Sequence, residues 1–364
     1  MSTELPFHRD RPEAAVATPL ALTDIQGFDA VIDARSPAEF ADDHLPGAIN
    51  SPVLDDDERA LVGTVYKQQS AFEAKRIGAP LVSRNIADAI EARFQSKPRD
   101  WRPLVYCWRG GGRSGALVHV LRQVGWNAIR LEGGYKAFRK QVVVDLDEMP
   151  SRFRFKVICG ATGSGKSRLL EALAEAGAQV LDLEVLAAHR GSVLGDLPDE
   201  PQPTQKSFET AIWTALSSFD PSKPVYVESE SKKVGNLRVP ETLIQHMRGG
   251  RCYRLDTPSE ARIDLLVDDY AHLIANPARL VEKLECLKDL HGADRIAQWK
   301  ARAGAGDWRA LVHDLLENHY DPAYRRSMFR NYRDAQTATP VAVEDISRAG
   351  FLETARKVLR SPDV

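Results

Sequence analysis

The strongest constraint on the fold is the run Gly160-Ala-Thr-Gly-Ser-Gly-Lys-Ser167, which satisfies the pattern G-x-x-x-x-G-K-[ST] in full. An apolar stretch predicted to be a strand, Phe155–Cys159, precedes it, and a predicted helix, Ser167–Ala176, follows. In this setting the backbone amides can wrap a diphosphate, and Lys166 neutralises its terminal charge. The sequence therefore predicts a phosphate-binding loop, or P-loop, between a strand of a parallel sheet and the next helix.

The P-loop motif specifies a diphosphate, but it does not specify ATP or establish hydrolysis. Ser167 is a candidate ligand for Mg²⁺ if the reaction uses a metal. The candidate diphosphate-binding residues are Gly160, Gly163, Ser164, Gly165, Lys166 and Ser167.

Polar side chains follow two more predicted strands, Gln179–Leu183 and Val225–Glu228. Ligand sites of α/β sheets form where strands end, so these groups are candidates for a second layer around the P-loop. A capped, solvated loop is the alternative explanation. The candidates are Asp182, Glu184, His189, Arg190, Glu228, Ser229 and Glu230.

A second glycine-rich loop begins at Cys107. The run Leu104-Val-Tyr-Cys-Trp-Arg-Gly-Gly-Gly-Arg-Ser114 leaves an apolar strand and enters a predicted helix, Ser114–Val124. Inward-pointing amides and the helix N-terminus can form an anion-binding cradle. A cysteine at the base of such a cradle is expected to have a depressed pKa and to be a thiolate near neutrality. The alternative is a buried core cysteine that ends a strand.

Cys107 is therefore the candidate nucleophile of this loop, and two arginines are placed to hold a bound oxyanion. The candidate anion-binding residues are Trp108, Arg109, Gly110, Gly111, Gly112, Arg113 and Ser114.

The four cysteines lie far apart and form no Cys-x-x-Cys pair, which argues against both a disulfide framework and a zinc site. No run approaches the ~18–20 apolar residues that a membrane span requires. The first residues contain acids and prolines and lack a hydrophobic signal core, so we expect a cytoplasmic protein.

A net charge of −2 argues against a globally basic nucleic-acid binder, but a local basic patch can still bind a polyanion. The segment from His319 to Arg333 interleaves aromatic residues with arginines. This composition suits phosphate contacts and base stacking, although a solvated helix face is the plainer explanation. The candidate RNA-contacting residues are Tyr324, Arg326, Arg330 and Arg333.

Alternating strands and helices predict an α/β protein with mostly parallel sheets. The other predicted strands are Ala30–Asp33, Leu104–Cys107, Ala128–Leu131 and Cys252–Leu255, and a further helix is predicted at Ala87–Gln95. Asp145–Arg154 has the composition of a linker, and helical periodicity dominates after Ser259. The predicted domains are 20–145, 154–258 for the P-loop core, and 259–364 for a helical extension of the P-loop domain.

Several of these segments together resemble a known family. Val31-Ile-Asp-Ala-Arg-Ser-Pro-Ala-Glu-Phe40, His44-Leu-Pro-Gly-Ala-Ile-Asn50 and Leu131-Glu-Gly-Gly-Tyr135 resemble rhodanese signatures. With the two loops, Asp-Leu-Glu, His-Arg-Gly-Ser, Glu-Ser-Glu-Ser and His-Tyr-Asp-Pro-x-Tyr, the chain resembles the bacterial tRNA 2-selenouridine synthases from about Leu22 to Tyr332. One departure is Gly112, where that family's loop usually has methionine.

The resemblance implies a rhodanese-like α/β domain followed by a P-loop NTPase-like α/β domain with an α-helical C-terminal extension. It also implies a reaction on the wobble 2-thiouridine of tRNA, with geranyl diphosphate and selenophosphate as co-substrates and no tightly bound cofactor apart from a candidate Mg²⁺. The sulfur is first geranylated, and selenophosphate then displaces the geranylthiol. Cys107 would handle selenium, and Lys166 and Ser167 would hold the diphosphate.

The Cys-x5-Arg spacing from Cys107 to Arg113 is one residue longer than that of common single-domain sulfurtransferases and equals that of phosphatase relatives of the fold. The loop alone therefore does not separate chalcogen transfer from dephosphorylation. Two other functions stay open. One is a rhodanese-type sulfurtransferase or phosphatase fused to an ATP-dependent small-molecule kinase. The other is a nucleotide-gated RNA-binding module with a vestigial cysteine.

Overall fold

The computed structural model describes residues 15–16, 20–192, 194–198, 200–332, 334 and 336–361, without the side chain of Phe329. The strands are β1 Ala15–Val16, β2 Ala30–Asp33, β3 Ala48–Asn50, β4 Pro103–Tyr106, β5 Ile129–Leu131, β6 Phe155–Cys159, β7 Gln179–Leu181, β8 Val225–Glu228, β9 Lys233–Val234, β10 Leu237–Arg238, β11 Arg251–Asp256 and β12 Thr339–Ala342.

The helices run through the whole described chain. They are α1 Leu22–Gln26, α2 Pro37–Asp42, α3 Asp56–Gln68, α4 Ala71–Ala89, α5 Gly112–Val124, α6 Gly134–Glu148, α7 Lys166–Glu175, α8 Leu183–Leu186, α9 Gln205–Ser218, α10 Glu241–Arg248, α11 Ser259–Asp269, α12 Ala271–Ile274, α13 Pro277–Glu285, α14 Lys288–Gly304, α15 Trp308–Leu315, α16 Asp321–Asn331 and α17 Arg348–Arg360. Short π-helices follow α4 at Ile90–Phe94 and α15 at Leu316–Tyr320, and a 3₁₀ turn follows α6 at Met149–Arg152. No described helix has the length and apolar character needed to cross a bilayer.

The chain divides into two compact units, Met1–Asp145 with Thr204–Ser218, and Leu146–Pro203 with Phe219–Val364. The first unit contains a parallel five-stranded sheet in the order β1-β5-β4-β2-β3. Its core lies between this sheet and the helices on its face, with Ile32, Val105, Leu117 and Leu121 buried together. The predicted parallel sheet of this region is confirmed.

Helix α9 belongs to the first unit, although its sequence position lies inside the predicted 154–258 domain. Its Trp213 is buried and packs edge-on against Phe138 of α6, with ring centroids 5.4 Å apart. The Trp213 indole donates a hydrogen bond of 2.8 Å to Asp145. Sequence order could not reveal this packing, because the hydrogen-bonded partners are 68 residues apart along the chain.

The second unit contains another parallel five-stranded sheet, in the order β12-β11-β6-β8-β7. The predicted helical C-terminal segment is confirmed, and it also returns to the sheet: β12 pairs with β11, and α17 packs on α7 through Phe351. A further helical layer, α11 to α16, has its own buried cluster around Trp299. The sequence interpretation missed β12, because this strand is only four residues long and includes Pro340, which is unusual within a sheet.

Local signals account for most of the differences in element limits. The predicted helix Ala87–Gln95 is the end of a longer helical stretch that starts at Ala71, where the Ser70 hydroxyl accepts the amide of Glu73. The predicted strand Gln179–Leu183 ends at Leu181, because the Asp182 carboxylate accepts the amide of Val185 and starts α8.

Candidate active sites

The Cys107 loop lies between β4 and α5 in the first unit. The helix begins at Gly112, two residues before the predicted Ser114, so the amides of Gly112, Arg113 and Ser114 form its first turn. These amides have no partner within the helix and, with the helix dipole, favour a bound anion. The expected combination of a strand end, a glycine turn and a helix N-terminus is therefore present.

The Cys107 thiol is nearly buried, at 3% exposure, and is the hydrogen-bond acceptor for the Ser114 hydroxyl at 3.2 Å. Burial alone would raise the pKa of Cys107. The Ser114 hydroxyl, the amides of Ser114 and Arg109 and the charge of Arg113 outweigh burial, and the net pKa is lowered. This environment favours the thiolate, as the sequence predicts.

A neighbouring backbone segment fixes the shape of the Cys107 loop. The amide of Tyr135 donates to the Cys107 carbonyl and that of Lys136 donates to the Trp108 carbonyl, both at 2.9 Å. Gly110 has a φ of +64°, and a Cβ there would lie 2.6 Å from the carbonyl oxygen of Leu131. Only glycine fits this position, since the contact is with backbone that cannot turn away.

The two arginines of the loop have different surroundings. The Arg113 guanidinium is an ion-pair partner of Glu39, with distances of 2.5 and 3.1 Å, and only 20% of its side chain is exposed. Arg109 is exposed beside Trp108, whose ring lies 5.5 Å from that of Tyr135. Glu39 therefore holds Arg113 at the wall of the loop. Of the two loop arginines, the exposed Arg109 is the one that can approach a bound anion.

The P-loop joins β6 to α7 in the second unit, as predicted. The Lys166 ammonium donates to the Gly160 carbonyl at 2.9 Å and lies 3.3 Å from a carboxylate oxygen of Glu228. Burial would lower the pKa of Lys166, but Glu228 and nearby acids raise it, so the lysine stays charged. The Gly160 amide donates to the Tyr324 hydroxyl at 2.6 Å.

Three carboxylates converge on the start of α7. Glu184, Glu228 and Glu230 each offer an oxygen, and all of these oxygens lie within 4.8 Å of one another. The Ser167 hydroxyl donates to Glu184 at 3.1 Å, and its distance to Glu228 is 3.4 Å. Burial and the charge of Glu228 raise the pKa of Glu184 to about 10 and that of Glu230 to about 8. Such crowded oxygen donors are the ligand set that a hard divalent cation prefers.

The other predicted residues around the P-loop separate by position. Asp182 starts α8 and has a pKa raised by burial. His189 accepts the Gly191 amide at 3.0 Å and lies 3.1 Å from Asp196, and burial lowers its pKa. The Arg190 guanidinium donates to the Asp269 carbonyl and lies 5.4 Å from the centre of the Tyr270 ring.

A cleft of about 1030 Å³ brings most of the predicted P-loop residues together. Its lining includes Gly163, Gly165, Lys166, Ser167, Asp182, Glu184, His189, Arg190, Glu228, Ser229, Glu230 and Tyr324. Gly160 and Ser164 instead line a neighbouring cleft of about 730 Å³, which also contains Tyr324.

The three described members of the predicted RNA-contacting set have different surroundings. Tyr324 is part of the P-loop site, and burial raises its pKa to about 12. Arg326 and Arg330 are exposed on α16, and Arg333 lies outside the described residues. The surface of α16 therefore offers two of the four residues to a polyanion.

Sequence reasoning missed two residues that hold the P-loop. Arg262 of α11 donates to the Thr162 carbonyl at 2.8 and 2.9 Å, and it is an ion-pair partner of Asp321 at 2.6 Å. The available signal was the segment His319-Tyr-Asp-Pro-Ala-Tyr324, which contains both Asp321 and Tyr324. The side chains of Asp321 and Tyr324 both lie on the P-loop side of α16.

Comparison with known proteins finds two matching family models. The model described as rhodanese-like domain matches residues 18–141, and that described as tRNA 2-selenouridine synthase AAA domain matches residues 153–290. A tRNA 2-selenouridine synthase of Sulfurovum sp. is 33% identical over 330 residues, which cover 83% of this chain and 89% of that protein.

Two other relatives carry the same name. The protein of Marinobacter nauticus is 30% identical over 343 residues, or 86% of this chain and 91% of that protein. The protein of Nitrosomonas europaea is 37% identical over 251 residues, or 66% of this chain. This chain spans 63% of the length of the Nitrosomonas europaea protein.

Proposed function

Because the chain belongs to the tRNA 2-selenouridine synthase family, we propose that it replaces the sulfur of wobble 2-thiouridine in tRNA by selenium, through an S-geranylated intermediate. Geranyl diphosphate supplies the alkyl group and selenophosphate supplies selenium, in the cytoplasm. The observation that supports this most is that one chain carries two glycine-rich loops of different chemistry, each at the start of a helix. One contains a cysteine with a lowered pKa, and the other contains a buried, charged lysine.

In the first step, the thiocarbonyl sulfur attacks C1 of geranyl diphosphate. The S–C bond forms as the C–O bond breaks, diphosphate leaves, and N3 of the base loses its proton. Lys166 and the P-loop amides stabilise the charge that accumulates on the leaving diphosphate. The exchange of a diphosphate for a sulfur substituent requires no ATP, which gives the P-loop a role without nucleotide hydrolysis.

The carboxylates beside Ser167 fit a Mg²⁺ ion, because three crowded acids, two of them with raised pKa values, gain from a shared cation. Glu184, Glu228, Glu230 and the Ser167 hydroxyl would hold it. When bound, Mg²⁺ supplies positive charge to the oxygens of the departing diphosphate. Without it, Lys166 is the cation nearest to these acids in the P-loop, at 3.3 Å from Glu228.

In the second step, the Cys107 thiolate attacks the phosphorus of selenophosphate. An S–P bond forms as the P–Se bond of selenophosphate, protonated on selenium, breaks, and the hydroselenide ion HSe⁻ leaves. HSe⁻ then adds at C2 of the modified base, its proton passes to N3 and geranylthiolate leaves, after which water hydrolyses the phosphocysteine to phosphate and the free thiol. The helix N-terminus at Gly112 and the exposed Arg109 suit the charge of the transferred phosphoryl group.

Mass analysis of thiolated tRNA tests both steps, with geranyl diphosphate alone and then with selenophosphate added. Lys166→Ala should abolish geranylation, whereas Cys107→Ser should let geranylated tRNA accumulate without selenation. The matched controls are Lys223→Ala and Cys286→Ser, which change exposed side chains. Full geranylation by Lys166→Ala, or equal loss of both steps in Cys107→Ser, would contradict the assignment. ATP turnover without tRNA would instead favour a kinase fused to a sulfurtransferase or phosphatase.

A further inference from the structure

A cavity of a different character adjoins the P-loop cleft in the second unit. Its volume is about 60 Å³, and none of the 14 residues that line it is charged. It shares Thr162, Leu266, Tyr270 and Tyr320 with the larger cleft. A ligand held at the P-loop therefore has an apolar compartment directly beside it.

The shared wall is in contact with the P-loop itself. Leu266 lies so close to Gly163 that a Cβ on that glycine would be 2.7 Å from its Cδ1. The Tyr270 hydroxyl is hydrogen-bonded to Ser192 of the cleft at 3.0 Å, while Tyr270 also lines the cavity. The boundary between the polar cleft and the apolar cavity thus includes amphipathic side chains.

The deeper wall is formed by Leu273 of α12 and by Leu311 and Leu315 of α15, all buried in one apolar cluster. A nucleoside base placed there would lose hydrogen bonds to water without replacement, which is unfavourable. An alkyl chain gains about fourfold in affinity for each methylene that it buries. The chemistry of the wall therefore selects an apolar chain attached to a diphosphate over a nucleotide.

We propose that this cavity receives the geranyl chain while the P-loop holds its diphosphate. The inference rests on the proposed function and specifies where that substrate's apolar part binds. A cavity that accepts benzene has a volume of roughly 150 Å³, so a ten-carbon chain enters only when lining side chains move apart. Leu273 of α12 and Val312 of α15 line the cavity, so movement of these two helices is what would make room for the chain.

Calorimetric titration of the full chain tests the proposal with inorganic, geranyl and farnesyl diphosphates. Val312→Phe fills the cavity from α15 and should weaken geranyl diphosphate binding about sixteenfold, equivalent to two lost methylene contacts, while inorganic diphosphate binds as before. Leu273→Ala enlarges the cavity and should shift the preference toward the longer farnesyl chain. Leu284→Ala is the matched control, because Leu284 belongs to the same buried cluster but does not line the cavity.

The titrations distinguish a wrong position for the geranyl chain from a wrong substrate. If Val312→Phe and Leu273→Ala both bind inorganic diphosphate and keep the wild-type chain preference, the chain lies elsewhere and this pocket is wrong, while the proposed function stands. If the wild-type protein binds geranyl diphosphate no more tightly than inorganic diphosphate and makes no geranylated tRNA, the proposed function fails and the pocket fails with it. Unchanged affinity for inorganic diphosphate shows in each variant that the P-loop is folded.

Discussion

At the scale of single residues, the Cys107 loop has two glycines with opposite constraints. Gly110 combines a positive φ with a close backbone neighbour, whereas Gly112 has no positive φ and open space where a Cβ would lie. Three consecutive glycines look equivalent in the sequence. The structure shows that the first shapes the loop and the third only begins the helix.

We predict that Gly110→Ala destabilises the first unit by about 2 kcal/mol or more, because of the left-handed backbone and the contact with Leu131. In contrast, Gly112→Ala should be neutral or stabilising by about 0.5 kcal/mol, because alanine limits the unfolded chain and favours a helix. Urea unfolding of both variants measures the difference. Equal destabilisation would mean that Gly112 has a constraint that its backbone does not show.

At the scale of elements, the ends of β7 and β8 and the start of α7 bring three acids into one small volume. Glu228 is the last residue of β8, Glu230 follows that strand, and Glu184 lies in the short helix α8 after β7, so the sheet itself places them beside Ser167. Their mutual repulsion is offset in part by Lys166. The arrangement makes this edge of the sheet sensitive to pH and to cations.

We predict that the metal-free protein loses stability as pH rises. Glu184 and Glu230 bind protons more tightly in the folded chain, with pKa values raised from 4.5 to about 10 and about 8. Their stabilising effect is complete below pH 4.5 and is lost as pH rises through these values. Mg²⁺ should reduce the slope because it favours the ionised carboxylates.

Thermal unfolding between about pH 5 and about pH 9, with and without Mg²⁺, measures this effect. The variant Glu230→Gln should flatten the dependence of the melting temperature on pH in the metal-free protein, since it removes one titrating group. A melting temperature that neither Mg²⁺ nor Glu230→Gln affects would contradict the interpretation of the three acids as a cation site.

The elements that sequence could predict were those with local signals. The strands Ala30–Asp33, Phe155–Cys159 and Val225–Glu228 agree with the structure residue for residue, because each is an apolar run before a polar turn. The convergence of Glu184 with Glu230 was only partly foreseeable, since it depends on β7 lying next to β8. Neither the Glu39–Arg113 pair nor the apolar cavity has a local signal, because their residues come from separate elements.

At the scale of the whole molecule, two buried tryptophans mark the two units. Trp213 of α9 lies in the first unit and donates to Asp145, and Trp299 of α14 lies in the second and donates to Asp314, each at 2.8 Å. Both side chains are almost completely buried. Substituting each tryptophan therefore tests whether the two units unfold separately.

We predict that Trp213→Ala and Trp299→Ala each destabilise their own unit by on the order of 3–5 kcal/mol, because each leaves a large cavity. Hydrogen exchange should locate the loss of protection in β2, β4 and β5 for Trp213→Ala. For Trp299→Ala it should locate the loss in α13 to α15. Loss of protection mainly in β6 and β8 on changing Trp213 would show that α9 stabilises the P-loop sheet instead.

The position of α9 has a consequence for synthesis. Domains usually fold as they emerge from the ribosome, the N-terminal one first. Here the first unit is complete only after Thr204–Ser218 has been made, when β6, α7 and β7 of the second unit already exist. Until then Phe138 lacks its partner Trp213. The first unit therefore stays incomplete, with part of its apolar surface uncovered, while the ribosome translates the P-loop.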